Sequence, residues 1–142
     1  MSTEELDFMN EIDARFPYDD QEQCRALIDR GVAISPNAAF GVLHEICRPP
    51  GRMPDAAEQL MPLLDYWRSH FDHPVAEMLR EVAASMIRGE YLPVDDVIAR
   101  MRSLATYPGL YAALAILYFA CDDVEGQLEP VFAEIRDRWD TD

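Results

Sequence analysis

The stretch Leu60-Met61-Pro62-Leu63-Leu64-Asp65-Tyr66-Trp67-Arg68-Ser69-His70-Phe71-Asp72-His73-Pro74-Val75-Ala76-Glu77-Met78-Leu79-Arg80-Glu81-Val82-Ala83-Ala84-Ser85-Met86 decides the fold. Leu60, Leu63, Leu64, Trp67 and Phe71 recur at the spacing of one helix face. The pattern halts at Asp72-His73-Pro74 and resumes as Val75, Met78, Leu79, Val82, Ala83 and Met86. Two amphipathic helices joined by a short proline turn form a helical hairpin. Arg88-Gly89 suits its end, with a cation at the negative pole of the helix dipole and a glycine for the left-handed residue that follows.

The same arrangement flanks it on both sides. Upstream, a helix over about Asp20 to Arg30 presents Cys24, Leu27 and Ile28, and Gly31 is placed to end it. Ser35-Pro36 opens its partner, with Ala39, Phe40, Leu43, Ile46 and Cys47 on one face. Arg48-Pro49-Pro50-Gly51-Arg52 then reads as a linker. Downstream, Pro93 leads into Val94, Val97, Ile98, Met101 and Leu104, and Tyr107-Pro108-Gly109 turns into Leu110–Cys121. That last segment is apolar all round and should be the most buried element. Pro36, Pro74 and Pro108 lie 38 and 34 residues apart, within the range of helical repeats, and each is expected at the first position of a second helix.

Flanking helices complete the expectation. Ser2 with Glu5 fits a capping box ahead of a helix over about Thr3 to Arg15, whose stripe is Leu6, Met9, Ile12 and Phe16, with Pro17 breaking it. Val124, Leu128, Val131, Phe132, Ile135 and Trp139 form the stripe of a final helix, in which Pro130 marks a kink or the true start. No stretch alternates as a strand does. The predicted fold is all-α: a right-handed α-α superhelix of about three hairpins with flanking N- and C-terminal helices, in one domain over residues 1–142.

Leu60-Met61-Pro62-Leu63-Leu64-Asp65, Asp72-His73-Pro74-Val75 and Val82-Ala83-Ala84 resemble a HEAT-type repeat; Val97-Ile98, Leu104 and Pro108 resemble it more loosely. The resemblance spans residues 19–122 and implies a protein-binding scaffold without naming a partner.

Composition narrows the chemistry. Twenty-seven Asp and Glu against twelve basic residues give a formal net charge of −15, which repels nucleic acid and anionic membranes and attracts basic partners. All twelve basic residues are Arg, as a GC-rich genome would favour. The absence of lysine excludes a P-loop, a kinase-type lysine and a lysine Schiff base. Cys24, Cys47 and Cys121 are odd in number and widely spaced, so no disulfide framework is expected. The acidic N-terminus lacks a signal-peptide pattern, no apolar run reaches the length of a membrane span, and the chain reads as cytoplasmic.

In a stack of hairpins, the connections between hairpins share one edge and the turns within them share the other. Asp19, Asp20, Asp55, Asp95, Asp96, Asp122, Asp123 and Glu125 all fall on the inter-hairpin edge. Helix capping accounts for one Asp at each start; the doubling at three of four places suggests a docking ridge for a basic protein partner. The opposite edge holds Asn37, Arg68, His70, Asp72, His73 and Tyr107.

Three chemical alternatives are weaker. His70, Asp72 and His73 crowd three potential ligands into four residues, but no cysteine pair or His-x-x-x-His completes a zinc set. Asp122, Asp123 and Glu125 lack a glycine-turned calcium loop. His44 and Cys47 lie three apart on one helix, yet Cys47 belongs to an apolar stripe and reads as structural. Glu11/Arg15, Asp96/Arg100 and Glu134/Arg138 have the spacing of exposed helical ion pairs, and the aromatics, Phe119 among them, read as core. No cofactor and no catalytic residue is expected. The expected function is a non-enzymatic acidic binding module, in its specific form an immunity or inhibitor protein that neutralises a cognate toxin. The alternatives are a homodimeric regulatory or adaptor protein using the apolar surface of the last helix, and a small carboxylate- or histidine-dependent enzyme.

Overall fold

A computed structural model describes residues 2–48, 56–123 and 125–141. Among them are eight helices and no strand: α1 (Thr3–Ala14), α2 (Gln21–Ile34), α3 (Pro36–Ile46), α4 (Ala56–His70), α5 (Ala76–Ile87), α6 (Val94–Leu104), α7 (Tyr111–Phe119) and α8 (Leu128–Thr141). The protein is all-α. The pairs α2–α3, α4–α5 and α6–α7 pack as three hairpins, with α1 against α3 and α8 against α6 and α7.

Local chemistry sets the boundaries, and several differ from expectation. Ser35 caps α3 through its Oγ to Ala38 N, with Pro36 in the first turn. Pro74 and Pro108 lie ahead of their helices, which begin at Ala76 and Tyr111. At the first, His73 Nδ1 accepts from Val75 N at 3.2 Å. At the second, Gly109 takes a φ of +91°, the left-handed position that follows proline in a type II turn. Gly31 does not end α2, which continues to Ile34; the glycine instead lets α2 approach α3, since a Cβ there would lie 2.9 Å from Val42 Cγ2. Pro130 is the third residue of α8, compatible with the first turn.

In α1 the buried apolar residues are Phe8 and Ile12, while Leu6 is 48 % exposed. The stripe is rotated because Glu5 takes an inward position: Ser2 Oγ accepts from Glu5 N, and Ser35 Oγ donates to the Glu5 carboxylate at 2.9 Å. The expected capping box is thus half formed, and the glutamate fastens α1 to the start of α3.

The core centres on α3. Eight of its eleven residues are buried, against five of nine in α7, so α3 rather than α7 is the most enclosed helix. Phe40 meets Trp67 and Phe71 with ring centroids 5.6 and 5.3 Å apart, and Trp67 Nε1 donates to Ala39 O at 2.8 Å. The second helices also pack on one another. Ala112 N donates to Asn37 Oδ1 across 75 residues, joining the first turns of α3 and α7. His44 and Arg48 meet the Phe119 ring at their other ends, so the two helices run parallel.

A nearest-neighbour stack would keep the first and third hairpins apart and bring α4 onto α6. Here α3 touches α7 directly, while α4 and α6 make no contact. Two helices with little polar surface bury each other, and the outer helices of the second and third hairpins are left separated.

Candidate functional site: the acidic edge

Parallel first helices bring their N-termini to one edge. Gln21 Nε2 donates to Gln59 O, tying the starts of α2 and α4, and Trp139 Nε1 donates to Ala105 O, tying the ends of α8 and α6. Leu92 N donates to Ala120 O, joining the connections before and after the third hairpin. Asp95, Asp96, Asp122, Asp123 and Glu125 therefore lie around neighbouring connections, and Asp19 and Asp20 precede α2 on the same edge. Asp55 lies outside the described residues, as do Pro49–Arg52 of the expected linker and Val124.

The acids divide by what they hold. Asp20 Oδ1 accepts from Gln23 N as the cap of α2. Asp123 uses both carboxylate oxygens on backbone donors, Gln127 N at 2.9 Å and Leu128 N at 2.8 Å. Asp96 pairs with Arg100 at 3.1 Å. Asp19, Asp95 and Asp122 are exposed and make no hydrogen bond or ion pair among the described residues, and exposed Glu125 accepts only from the Gln127 side chain. In each of the Asp19-Asp20 and Asp122-Asp123 pairs one member caps a helix and the other has no partner among the described residues.

Two aromatics share this edge. Tyr91, between α5 and α6, is 70 % exposed, and Phe119, the last residue of α7, is 44 % exposed. Both were hidden from sequence reasoning. Tyr91 lies outside any periodic stripe, and Phe119 ends a run apolar on every side, where no polar face announces the solvent side. Arg48 places its guanidinium 4.3 Å from the Phe119 ring centroid, a cation–π contact that holds the ring at the surface. Exposed Tyr and Phe are disproportionately interface anchors.

Cys47 Sγ contacts His44 O at 3.4 Å, not the imidazole. Burial pushes the Cys47 thiol up to about 12, and burial, then Arg48, holds His44 down to about 4. A neutral imidazole beside an un-ionised thiol cannot form a thiolate pair. His73 is packed among Phe40, Phe71 and Tyr107 and spends Nδ1 on Val75 N; His70 stacks on Tyr66 with centroids 3.9 Å apart. No three His, Cys, Asp or Glu side chains among the described residues are placed to hold a metal ion. The three cysteines are free and buried. Among the expected ion pairs, Asp96–Arg100 forms, whereas Glu11 reaches Arg30 on α2 at 2.9 Å.

These features define an all-helical protein of tandem hairpins with one acid-rich, aromatic-bearing edge. No protein-family model, curated protein or solved structure matches the chain. No described helix is long and apolar enough to cross a membrane.

Proposed function

We propose that this chain is a non-enzymatic protein-binding module, a set of helical hairpins resembling HEAT repeats in sequence, whose inter-hairpin edge docks a basic protein surface. Its specific form would be an immunity or inhibitor protein that neutralises a cognate toxin in the cytoplasm. The observation that carries the reading is the set of acids without a partner among the described residues, Asp19, Asp95 and Asp122, on the edge that exposes Tyr91 and Phe119. Carboxylates beyond those needed for capping supply steering, and exposed aromatics supply the desolvated contact that slows dissociation. With a net charge of −15, association with a basic partner is fast at low ionic strength and falls steeply as salt rises.

The homodimer alternative drew on the apolar stripe of the last helix. Leu128, Val131, Ile135 and Trp139 of α8 are buried within the chain, so that stripe is already occupied.

The test is affinity capture from the native host lysate at low and high salt, comparing wild type with a variant carrying Asp19→Asn, Asp95→Asn, Asp122→Asn and Glu125→Gln. These sites leave the capping residues Asp20 and Asp123 intact. The expected result is one basic partner, released by salt and lost from the variant. Equal capture by both proteins, or none by either, overturns the reading.

A further inference from the structure

α1 runs antiparallel to α2 without closing against it. Phe8 lies against Gly31 of α2 and Ile12 against Gly41 of α3, and Glu5 ties the start of α1 to Ser35. A groove stays open along the other margin. It is lined by α1, α2 and the connection between them, and by no residue of α3. The ion pair of Glu11 with Arg30 at 2.9 Å crosses it, dividing it into hollows of about 760 and 650 Å³.

The α2 wall carries a repeat. Ala33 and Ile34 line one hollow, and Ala26 and Leu27 line the other. Leu27 and Ile34 are half-buried, while both alanines are exposed. One heptad, about 10 Å of helix, separates the two pairs. Apolar residues at this interval form the seam on which a second helix packs, and the small alanines let its backbone come close.

Charge selects the occupant. Glu4, Asp7, Glu11, Asp19 and Asp20 line the hollows, against the guanidiniums of Arg15 and Arg30. Arg30 is spent on Glu11. The side chains of Glu4, Asp7 and Asp19 make no hydrogen bond or ion pair among the described residues. The last turn of α2 holds no basic residue to offset the negative pole of its dipole. Arg15 opposes a guest cation at its own end, where Asp19 and Asp20 outnumber it.

We infer that the α1–α2 groove seats an amphipathic helix of a basic partner. Apolar side chains seven residues apart in the guest enter the two hollows, and flanking Lys or Arg face Glu4, Asp7 and Asp19. The 12 residues of α1 span about 18 Å, enough for about three turns of guest helix. Exposed carboxylates are individually weak, so the apolar seam supplies affinity while the acids set orientation and encounter rate. A second copy of this chain is disfavoured as occupant, because it brings the same net charge of −15.

This deepens the docking reading and rests on it for the partner's charge, but the surface is separate. Neither α1 nor α2 touches α6, α7 or α8, so Asp95 and Asp122 can be changed without disturbing the groove. The test is titration of the full-length protein with two capped synthetic peptides of about fourteen residues, a length that covers α1. One carries leucine along a single helical face with lysine and alanine elsewhere; the other is an isomer of equal charge whose order leaves no apolar face. Calorimetry at physiological ionic strength and amide NMR shifts follow both. Saturable binding of the first, with shifts at Ala26, Leu27, Ala33 and Ile34, and about tenfold weaker binding of the isomer are expected. Ala26→Gln with Ala33→Gln fills the seam without altering charge and should weaken binding by about tenfold, whereas Asp95→Asn with Asp122→Asn should leave it unchanged. Equal binding of the two peptides, or undiminished affinity in the folded double-Gln protein, overturns the inference. A lysate partner that the double-Gln protein retains and the edge variant loses would also overturn it, while leaving the docking reading in place. Peptide seating in the groove with no partner captured would remove the docking reading alone.

Discussion

Two helical glycines make opposite predictions under the same substitution. Alanine in a helix interior is favoured over glycine by up to about 1 kcal/mol through backbone entropy, and this gain applies equally to Gly31→Ala and Gly41→Ala. The surroundings differ. At Gly31 a Cβ would lie 2.9 Å from Val42 Cγ2, 3.1 Å from Ala38 O and 3.3 Å from Phe8 Cε2. Val42 is β-branched and buried, and Ala38 O belongs to the backbone of α3, so relief requires α2 and α3 to separate. Overpacking of this kind costs about 1–3 kcal/mol, leaving a net loss near 1 kcal/mol. At Gly41 the Cβ would overlap Met9 Sδ and Cε, the far end of a flexible, half-buried side chain, while Ile12 Cδ1 stands off at 3.8 Å. Methionine can swing aside, so the helix gain prevails. For a chain of this length about 1 kcal/mol corresponds to about 3–4 °C in Tm. Thermal unfolding by circular dichroism should show Gly31→Ala lowered by roughly that amount and Gly41→Ala level or raised. The reverse order, or equal shifts, refutes the packing argument.

Two further predictions concern titration. Burial pushes Cys24 up to about 11 and Cys47 up to about 12, and burial, then Asp123 and Asp122, raises Cys121; a thiol reagent at pH 8 should label none of the three until denaturant is added, and rapid labelling of Cys47 in the native protein would contradict its placement. Burial, then the neighbouring Asp13, pushes Glu45 up from 4.5 to about 7. Its folded-state pKa is raised, so its contribution to stability is full below pH 4.5 and is lost as pH rises through 7. His44, held down from 6.5 to about 4, contributes fully above 6.5 and loses that as pH falls through 4. The two trends oppose each other in the wild type. Urea unfolding of Glu45→Gln at pH 5 and pH 8 isolates them: the variant should gain on the wild type at pH 8, and parallel profiles would sink the assignment.

How much was legible depended on whether the deciding contact was local. The helix pair around Pro74 could be read because both stripes keep one period and face one layer. Ser35-Pro36 could be placed because a serine cap and a first-turn proline act within four residues. Pro74 and Pro108 misled by two or three positions because the same residue also serves in the turn before a helix. Gly31 misled because glycine ends helices and also admits close neighbours, and only the facing Val42 distinguishes the two. The acid pairs announced themselves by repetition, yet which member caps required the geometry. The separation of α4 from α6 had no sequence signal, since it follows from the contact of α3 with α7, joined through Asn37 and Ala112.

That topology also gives the acidic edge a test separating function from folding. The edge carries the C-termini of α3, α5 and α7, where the helix dipole favours a cation. Two of the three have one: Arg48 beside Cys47 at the end of α3, and Arg88 as the C-cap of α5. The third does not. Beyond the C-cap Ala120 of α7 the chain continues Cys121-Asp122-Asp123, and only Asp123 repays its charge by capping α8. Asp122 faces an unfavourable dipole end and neighbouring carboxylates, with no compensating bond among the described residues. Asp122→Asn should therefore stabilise the fold by about 0.3–1 kcal/mol, the usual size of a terminal dipole interaction, while slowing capture of a basic partner. Asp123→Asn weakens a cap and should cost about 1 kcal/mol. Chemical denaturation of the two variants decides it. A loss of stability in Asp122→Asn would mean that the aspartate serves the fold, and the strongest ground for reading this edge as a docking surface would be gone.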